Sequence, residues 1–359
     1  SPKFFEWNNI GETNEYTLSI SQDSLFILPG TISLNTFNTF LNYEDTLTQG
    51  KWFWKINALN EPINYEPEIG NFQILNIPMM NELELWLIPD SNNCIPASSP
   101  ISTWTDLSNE SNNVFQNINS RKPVLQDNII NNLPAVYFDG NDRFDSENLL
   151  LSNIEVFILF KGENNTNKIF GFQNGYYDQF NGDRQIIYLS GNNFQYYNSI
   201  NEPNKFQIHN FGYLAGKANH PSGFLRKNGI NIPKGFGTGA TANTINNLLL
   251  GTFKGYVAEL LIFDTILDTS ASNSINSYLF DKYAPHVDLG ADLNIEYGFC
   301  DLILHTTSTY QSYLWSNGSN DSTITVNEPG IYWLEGLDIF GRTSRDTILI
   351  VRPPFDEVS

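Results

Sequence analysis

Apolar and polar positions alternate in short runs along most of this chain, with the period of two that sends successive side chains to opposite faces of a strand. In the first 75 residues, Tyr16-Thr17-Leu18-Ser19-Ile20 and Lys51-Trp52-Phe53-Trp54-Lys55-Ile56-Asn57-Ala58 carry that pattern. Further on, Leu83-Glu84-Leu85-Trp86-Leu87 and Gly255-Tyr256-Val257-Ala258-Glu259-Leu260-Leu261-Ile262-Phe263-Asp264 also read as strands, the second with Val257, Leu260 and Ile262 as apolar positions. One stretch departs from it. From about Ser270 to Tyr283, the residues Ile275, Leu279 and Tyr283 recur at four-residue spacing, which predicts a short helix lying as a cap on one sheet. After Pro285 come Tyr313-Leu314-Trp315-Ser316, Ser322-Thr323-Ile324-Thr325-Val326 and Ile331-Tyr332-Trp333-Leu334, punctuated by the turn signals Asn317-Gly318 and Pro329-Gly330. Within the first segment, alternation puts Trp52 and Trp54 on one face, so core packing is favoured over a sugar-binding platform.

These patterns predict an all-β chain, and its 359 residues suggest two or three domains at roughly 100 to 200 residues each. Composition agrees, since Phe 26, Tyr 17 and Trp 7 supply the large planar side chains that suit half-buried pleated surfaces. Charge narrows the partners. A formal net charge of −20 repels phosphate backbones and anionic bilayers, so neither nucleic acid nor membrane insertion is expected. There is no run of about 18 apolar residues, and the opening residues lack a signal peptide's basic and apolar regions. The sequence begins and ends in mid-pattern, which reads as a piece of a longer polypeptide. The two cysteines, Cys94 and Cys300, show no CxxC spacing and leave a disulfide open.

Three resemblances follow from these residues. The first 75 residues, with Pro2, Phe5 and Trp7 ahead of YTLSIS, GKWFWKINALN and NFQIL, resemble a fibronectin type III or similar immunoglobulin-like sandwich. The second set of anchors is LELWL at 83–87, ISTWTDLS at 101–108, LPAVYFDGND at 133–142, GYVAELLIFD at 255–264 and the helix. Their order resembles the laminin-G-like, concanavalin-type jelly rolls of bacterial surface proteins. The last segment, with YLWSNGS, STITV and PGIYWL, resembles the PKD-like or immunoglobulin-like repeats of secreted adhesins. The implied architecture is a concanavalin-like jelly-roll sandwich at 78–286, flanked by two smaller immunoglobulin-like sandwiches at 1–77 and 287–359. The loop at 106–113 keeps neither glycine of the jelly-roll pattern, so Asn109, tolerant of left-handed backbone angles, is expected to hold its turn.

Candidate chemistry is sparse. The E-x-D-x-x-E strand motif of concanavalin-like glycosidases is absent, and Glu259 matches a family position associated with structure. No G-x-S-x-G, HExxH, P-loop or dinucleotide fingerprint occurs, and His209, His220, His286 and His305 read as surface or loop residues. No catalytic residue is assigned. Calcium is the one cofactor to carry, because it takes six to eight oxygen ligands and the concanavalin-like family holds it in loops. The candidate ligands are Asp106, Asn109 and Asn112 in the first loop and Asp139, Asn141 and Asp142 in the DGND turn. The same residues can instead cap turns through their own backbone. Tyr176, Tyr177 and Asp178 combine aromatic faces with a carboxylate, as a carbohydrate site requires, or else belong to a hairpin with inward rings; the same holds for Phe194, Tyr196 and Tyr197.

What the resemblance implies is a non-catalytic fragment of a bacterial cell-surface adhesin, exported by type IX secretion and serving adhesion or gliding. Its expected partners are a polysaccharide or surface glycan, the other domains of the same polypeptide, and the secretion machinery during export. The alternatives are a passive spacer array or accessory domains of a secreted hydrolase.

Overall fold

The computed structural model describes residues 3–6, 15–23, 26–27, 30–43, 47, 50–58, 69–74, 77, 80–89, 99–146, 149–151, 153–163, 168–172, 176–181, 184–189, 205–214, 224–231, 245–246, 248–295 and 301–351. The chain divides into two compact units, Ser1–Asn76 and Ile77–Ser359. Both are built from β-sheets, and one α-helix, Thr269–Tyr283, is present among the described residues.

In the first unit a four-stranded antiparallel sheet runs in the order Ile32–Thr36, Tyr16–Ser21, Gly50–Ala58, Ile69–Ile74, and a separate pair joins Lys3–Glu6 to Phe40–Tyr43. The alternation in YTLSIS and KWFWKINA becomes a core of Phe5, Tyr16, Leu18, Ile20, Trp52 and Ile56. Trp54 packs against it, with its ring edge-on to Phe5 at 5.8 Å. Trp52 is thus a core residue and Trp54, half-buried, packs against that core. Trp7 lies outside the described residues.

The second unit begins with a two-sheet sandwich. One sheet orders its strands Val124–Ile130, Leu133–Asp139, Lys254–Phe263, Asn153–Gly162, Gln207–Leu214, Phe224–Lys227, Ile230–Asn231, with Leu83–Leu87 pairing the second half of Lys254–Phe263. The other runs Arg184–Leu189, Tyr176–Asn181, Lys168–Phe172, Leu248–Gly251, Arg143–Ser146, Val114–Phe115, Thr103–Trp104. Their facing residues form one core, with Leu85, Val136, Phe138, Ile154, Val156, Val257, Leu260 and Ile262 from the first sheet and Trp104, Val114, Phe144, Leu248 and Leu250 from the second. Each such side chain removed from water contributes about 1.5–3 kcal/mol.

The helix lies on the outer face of the first sheet. Asp268 caps it by accepting from the Ala271 amide at 2.8 Å, and Ile275, Leu279 and Tyr283 are buried at the expected spacing. Opposite it, the Lys254–Phe263 strand carries a bulge at Ala258, since Leu159 pairs Glu259 while the next residue, Phe160, pairs Val257.

The last sandwich comprises a sheet ordered Leu293–Asn294, Thr343–Val351, Gly330–Leu337, Ser312–Trp315 and a pair of Leu302–Leu304 with Ile324–Val326. Trp315 is fully buried at its centre and donates to the Asp321 carbonyl at 2.8 Å. This sandwich falls in one compact unit with the preceding two-sheet sandwich. Arg342 donates to the Ala284 carbonyl at the helix C-terminus at 2.7 Å and to Asp338 at 2.7 Å, with its guanidinium 4.0 Å from the Phe280 ring centre. Tyr310 donates to the Pro285 carbonyl at 3.2 Å, and the Val287 and Leu289 amides donate to Ser344 and Asp346 at 2.9 and 2.8 Å. Arg342 and Tyr310 therefore cross the boundary that the resemblance places at 286–287.

Candidate functional site

The acids of the first calcium candidate are used by the chain itself. Asp106, 6% exposed, accepts from the Trp86 amide at 2.8 Å and the Ser108 amide at 2.9 Å with one oxygen, and from the Ser108 hydroxyl at 2.6 Å and the Asn112 amide at 2.7 Å with the other. The Asn112 side chain donates to the Glu84 carbonyl at 2.8 Å, and Asn109 is exposed. The left-handed residue in this loop is Ser111, at φ 61°, rather than Asn109. The Asp106 carboxylate gathers the amides of 108 and 112, so the reversal falls between them. Burial, then the negative charges of Asp264, Glu110 and Asp106, push the Glu84 carboxyl up.

The DGND turn is closed in the same manner. Asp139 accepts from the Asn141 and Asp142 amides at 2.7 and 3.2 Å, while Asp142 accepts from the Asp139 amide at 2.9 Å. Burial pushes the Asp142 carboxyl up. Gly251, at φ +129°, lets the Asp142 carbonyl come close, and Thr252 donates to that carbonyl at 2.7 Å. Asp106, Asp139 and Asp142 thus cap their turns, and among the described residues no three His, Cys, Asp or Glu side chains converge to hold a metal.

Tyr176, Tyr177 and Asp178 fall in the Tyr176–Asn181 strand, between Lys168–Phe172 and Arg184–Leu189, with Tyr177 paired to Gly171 and Tyr188. Their side chains lie outside what the structure describes, as do Phe194, Tyr196, Tyr197, His220, Cys94 and Cys300. His286 and His305 are exposed. His209 departs from expectation. It is fully buried in Gln207–Leu214, 4.5 Å from the Phe160 ring and 3.2 Å from Gln207.

Two glutamates on neighbouring strands face the helix with no exposed surface. Glu259 accepts from Trp86 Nε1 at 2.6 Å and the Tyr278 hydroxyl at 2.7 Å on one oxygen. On the other it meets Lys282 Nζ at 2.7 Å and the Tyr283 hydroxyl at 2.8 Å. Glu155 accepts from Asn210 at 2.8 Å, Ser272 at 2.7 Å and the Leu267 amide at 2.9 Å. Burial raises the Glu155 carboxyl, against the pull of these donors and of Arg226 at 3.9 Å. Glu155 holds the helix's N-terminal turn and Glu259 its C-terminal turn, so both acids serve architecture.

The same outer face carries a different assembly beyond the helix. Val136 and Phe138, Val257, and Phe160 point into the core, so alternation turns Tyr137, Tyr256 and Lys161 outward. Register aligns them in a row, Tyr137 opposite Tyr256 and Tyr256 opposite Lys161, with Phe206 just ahead of the next strand. The two tyrosine rings lie 4.9 Å apart at 53°. The Lys161 ammonium sits 5.1 Å from the Tyr256 ring centre and 5.6 Å from that of Phe206. The Tyr256 hydroxyl donates to Gln126 at 3.1 Å, and Lys254 pairs with Glu163 at 3.3 Å on the rim. Burial, then the Glu163 charge, pushes both tyrosine hydroxyls up, so they stay protonated as donors at neutral pH. Gly255, at φ +147°, is required here, because a Cβ would collide with the Lys161 carbonyl. Half-buried rings ringed by an amide, a carboxylate and two ammonium groups offer apolar faces for stacking and polar groups for hydroxyls. The sequence reading missed this row although its signal was present, as aromatic residues at the outward positions of LPAVYFD and GYVAELLIF.

No family model matches the chain, and no curated protein matches it. Among solved structures it is similar to domain 4 of AbnA, an extracellular arabinanase from Geobacillus stearothermophilus in complex with arabinotriose, at 15% identity and TM-score 0.35, covering 54% of this chain and 98% of that one. It is also similar to the binding domain of botulinum neurotoxin DC in complex with rat synaptotagmin II, at 12% identity and TM-score 0.44, covering 72% and 71%. A third is Trypanosoma rangeli sialidase with the inhibitor DANA, at 10% identity and TM-score 0.38, covering 54% and 32%.

Proposed function

We propose that this chain is a non-catalytic, glycan-binding segment of a bacterial cell-surface adhesin, exported from the cell as part of a longer polypeptide. The observation that carries the reading is the row of Tyr137, Tyr256, Lys161 and Phe206 on the outer sheet. Its rings supply stacking faces, and Gln126, Glu163, Lys254 and the tyrosine hydroxyls supply hydrogen-bonding groups around them. That Glu155, Glu259, Asp106 and Asp142 are bonded to the helix and the turns supports binding over chemistry. One such shallow site gives weak affinity, and repetition along a long chain multiplies it. A carbohydrate microarray tests this. Saturable binding to a set of polysaccharides is expected, and a blank array followed by flat calorimetric titrations of the same glycans overturns it.

A stiff spacer is the second reading, favoured by the seam of Arg342, Phe280 and Tyr310. Hydrogen exchange discriminates. Slow exchange of the Val287 and Leu289 amides is expected of a rigid joint, and exchange near the rate of an open chain contradicts it.

A further inference from the structure

The lysine in the ring row is placed unlike a solvated surface cation. Lys161 is half-buried, its ammonium faces the Phe206 and Tyr256 rings, and no carboxylate or carbonyl oxygen accepts from it among the described residues. Glu163, two positions along the same face, is paired with Lys254 instead. Yet the chain holds 39 Asp plus Glu against 19 Lys plus Arg, so acids are not scarce. A partly desolvated ammonium costs free energy unless an anion meets it, and ring faces supply only part of that compensation. The gap matches the one feature that a neutral sugar lacks.

We infer that Lys161 recognises a carboxylate on the ligand, and that the ligand is a largely neutral polysaccharide carrying isolated uronic-acid residues. The inference rests on the reading of Tyr137 and Tyr256 as the glycan platform. A sugar ring stacked on Tyr256 brings its substituents beside Lys161, whose ammonium has three donors to direct at a carboxylate oxygen. Whole-molecule charge decides between sparse and dense acid groups. A net charge of −20 repels a polyanion along its length, whereas one carboxylate in contact with a cation lies inside the screening distance of about 8 Å at physiological salt.

The test is calorimetric titration of the full chain with a glucuronate-substituted xylo-oligosaccharide, its unsubstituted counterpart and polygalacturonate. The substituted oligosaccharide is expected to bind about tenfold tighter than the neutral one, the worth of one charge-assisted hydrogen bond. Polygalacturonate is expected to bind more weakly at low salt than at physiological salt. Lys161→Met is expected to erase the preference and leave neutral binding in place, and Lys161→Arg to retain most of it. Equal affinity of the two oligosaccharides in the wild type overturns the inference while the platform reading stands, and a preference that survives Lys161→Met overturns the role of Lys161. If neither oligosaccharide binds although array polysaccharides do, the inference falls and the platform reading stands; if no glycan binds at all, both fall. The wild-type ratio is decisive even if a variant does not fold.

Discussion

The residues that look most chemical in this chain are fixed by structural bonds. Glu259 is fully buried and bonded from four side chains, so truncating it strands the Lys282 ammonium and the Tyr278 hydroxyl, while Tyr283 keeps the Ala258 carbonyl. Glu259→Ala is expected to lower unfolding free energy by about 3–5 kcal/mol, read from denaturant melts, and Glu259→Gln by less. A loss below about 1 kcal/mol would mean the network is not holding the helix. The tyrosines give a pH prediction. Burial pushes the Tyr310 hydroxyl up to about 12. A group whose folded pKa is raised contributes stability that is complete below its unfolded value, near 10, and fades as pH rises through the folded value. The fold should thus weaken between pH 10 and about 12, and Tyr310→Phe should flatten that decline while losing the bond to Pro285. Thermal melts stepped through that range check it; an unchanged slope in the variant assigns the loss elsewhere.

At the scale of elements, four-residue spacing foresaw the helix, found at Thr269–Tyr283, and the ordered motifs of the resemblance foresaw the strands found at Leu83–Leu87 and Lys254–Phe263. The bulge at Ala258 was not legible, because an extra residue in a strand shows only against its partner's register. Nor was the burial of His209, whose strand reads QIHNFGYL with polar residues that pair inside the sheet's cover. The site was half-legible. Tyr137 and Tyr256 stood at outward positions, but their union with Lys161 is made by pairing between strands far apart in sequence. The Asx loops illustrate the opposite case, in which residue type allowed either a metal or a cap and the fold supplied the cap's donors. Asp106→Ala is expected to destabilise the protein equally in calcium and in chelator. A calcium-dependent rise of several degrees in Tm that the substitution abolishes would make the loop a metal site.

For the second unit as a whole, the seam joins the two-sheet sandwich to the last sandwich. Arg342 joins the helix C-terminus to the Asp338 turn, and Phe280 meets Phe340 edge-on at 5.2 Å. Arg342→Ala should split the calorimetric transition of this unit into two, the last sandwich melting first; a single unchanged transition would show the joint to be inessential. The proposed glycan surface is the outer face of the first sheet around Tyr137 and Tyr256. Electrophoretic retardation in gels cast with the best array polysaccharide tests it most directly, comparing wild type with Tyr137→Ala/Tyr256→Ala at matched folding. The wild type is expected to be retarded and the double variant to migrate as in a gel without polysaccharide. Retardation unchanged by the double substitution would place the glycan elsewhere on the chain and contradict it.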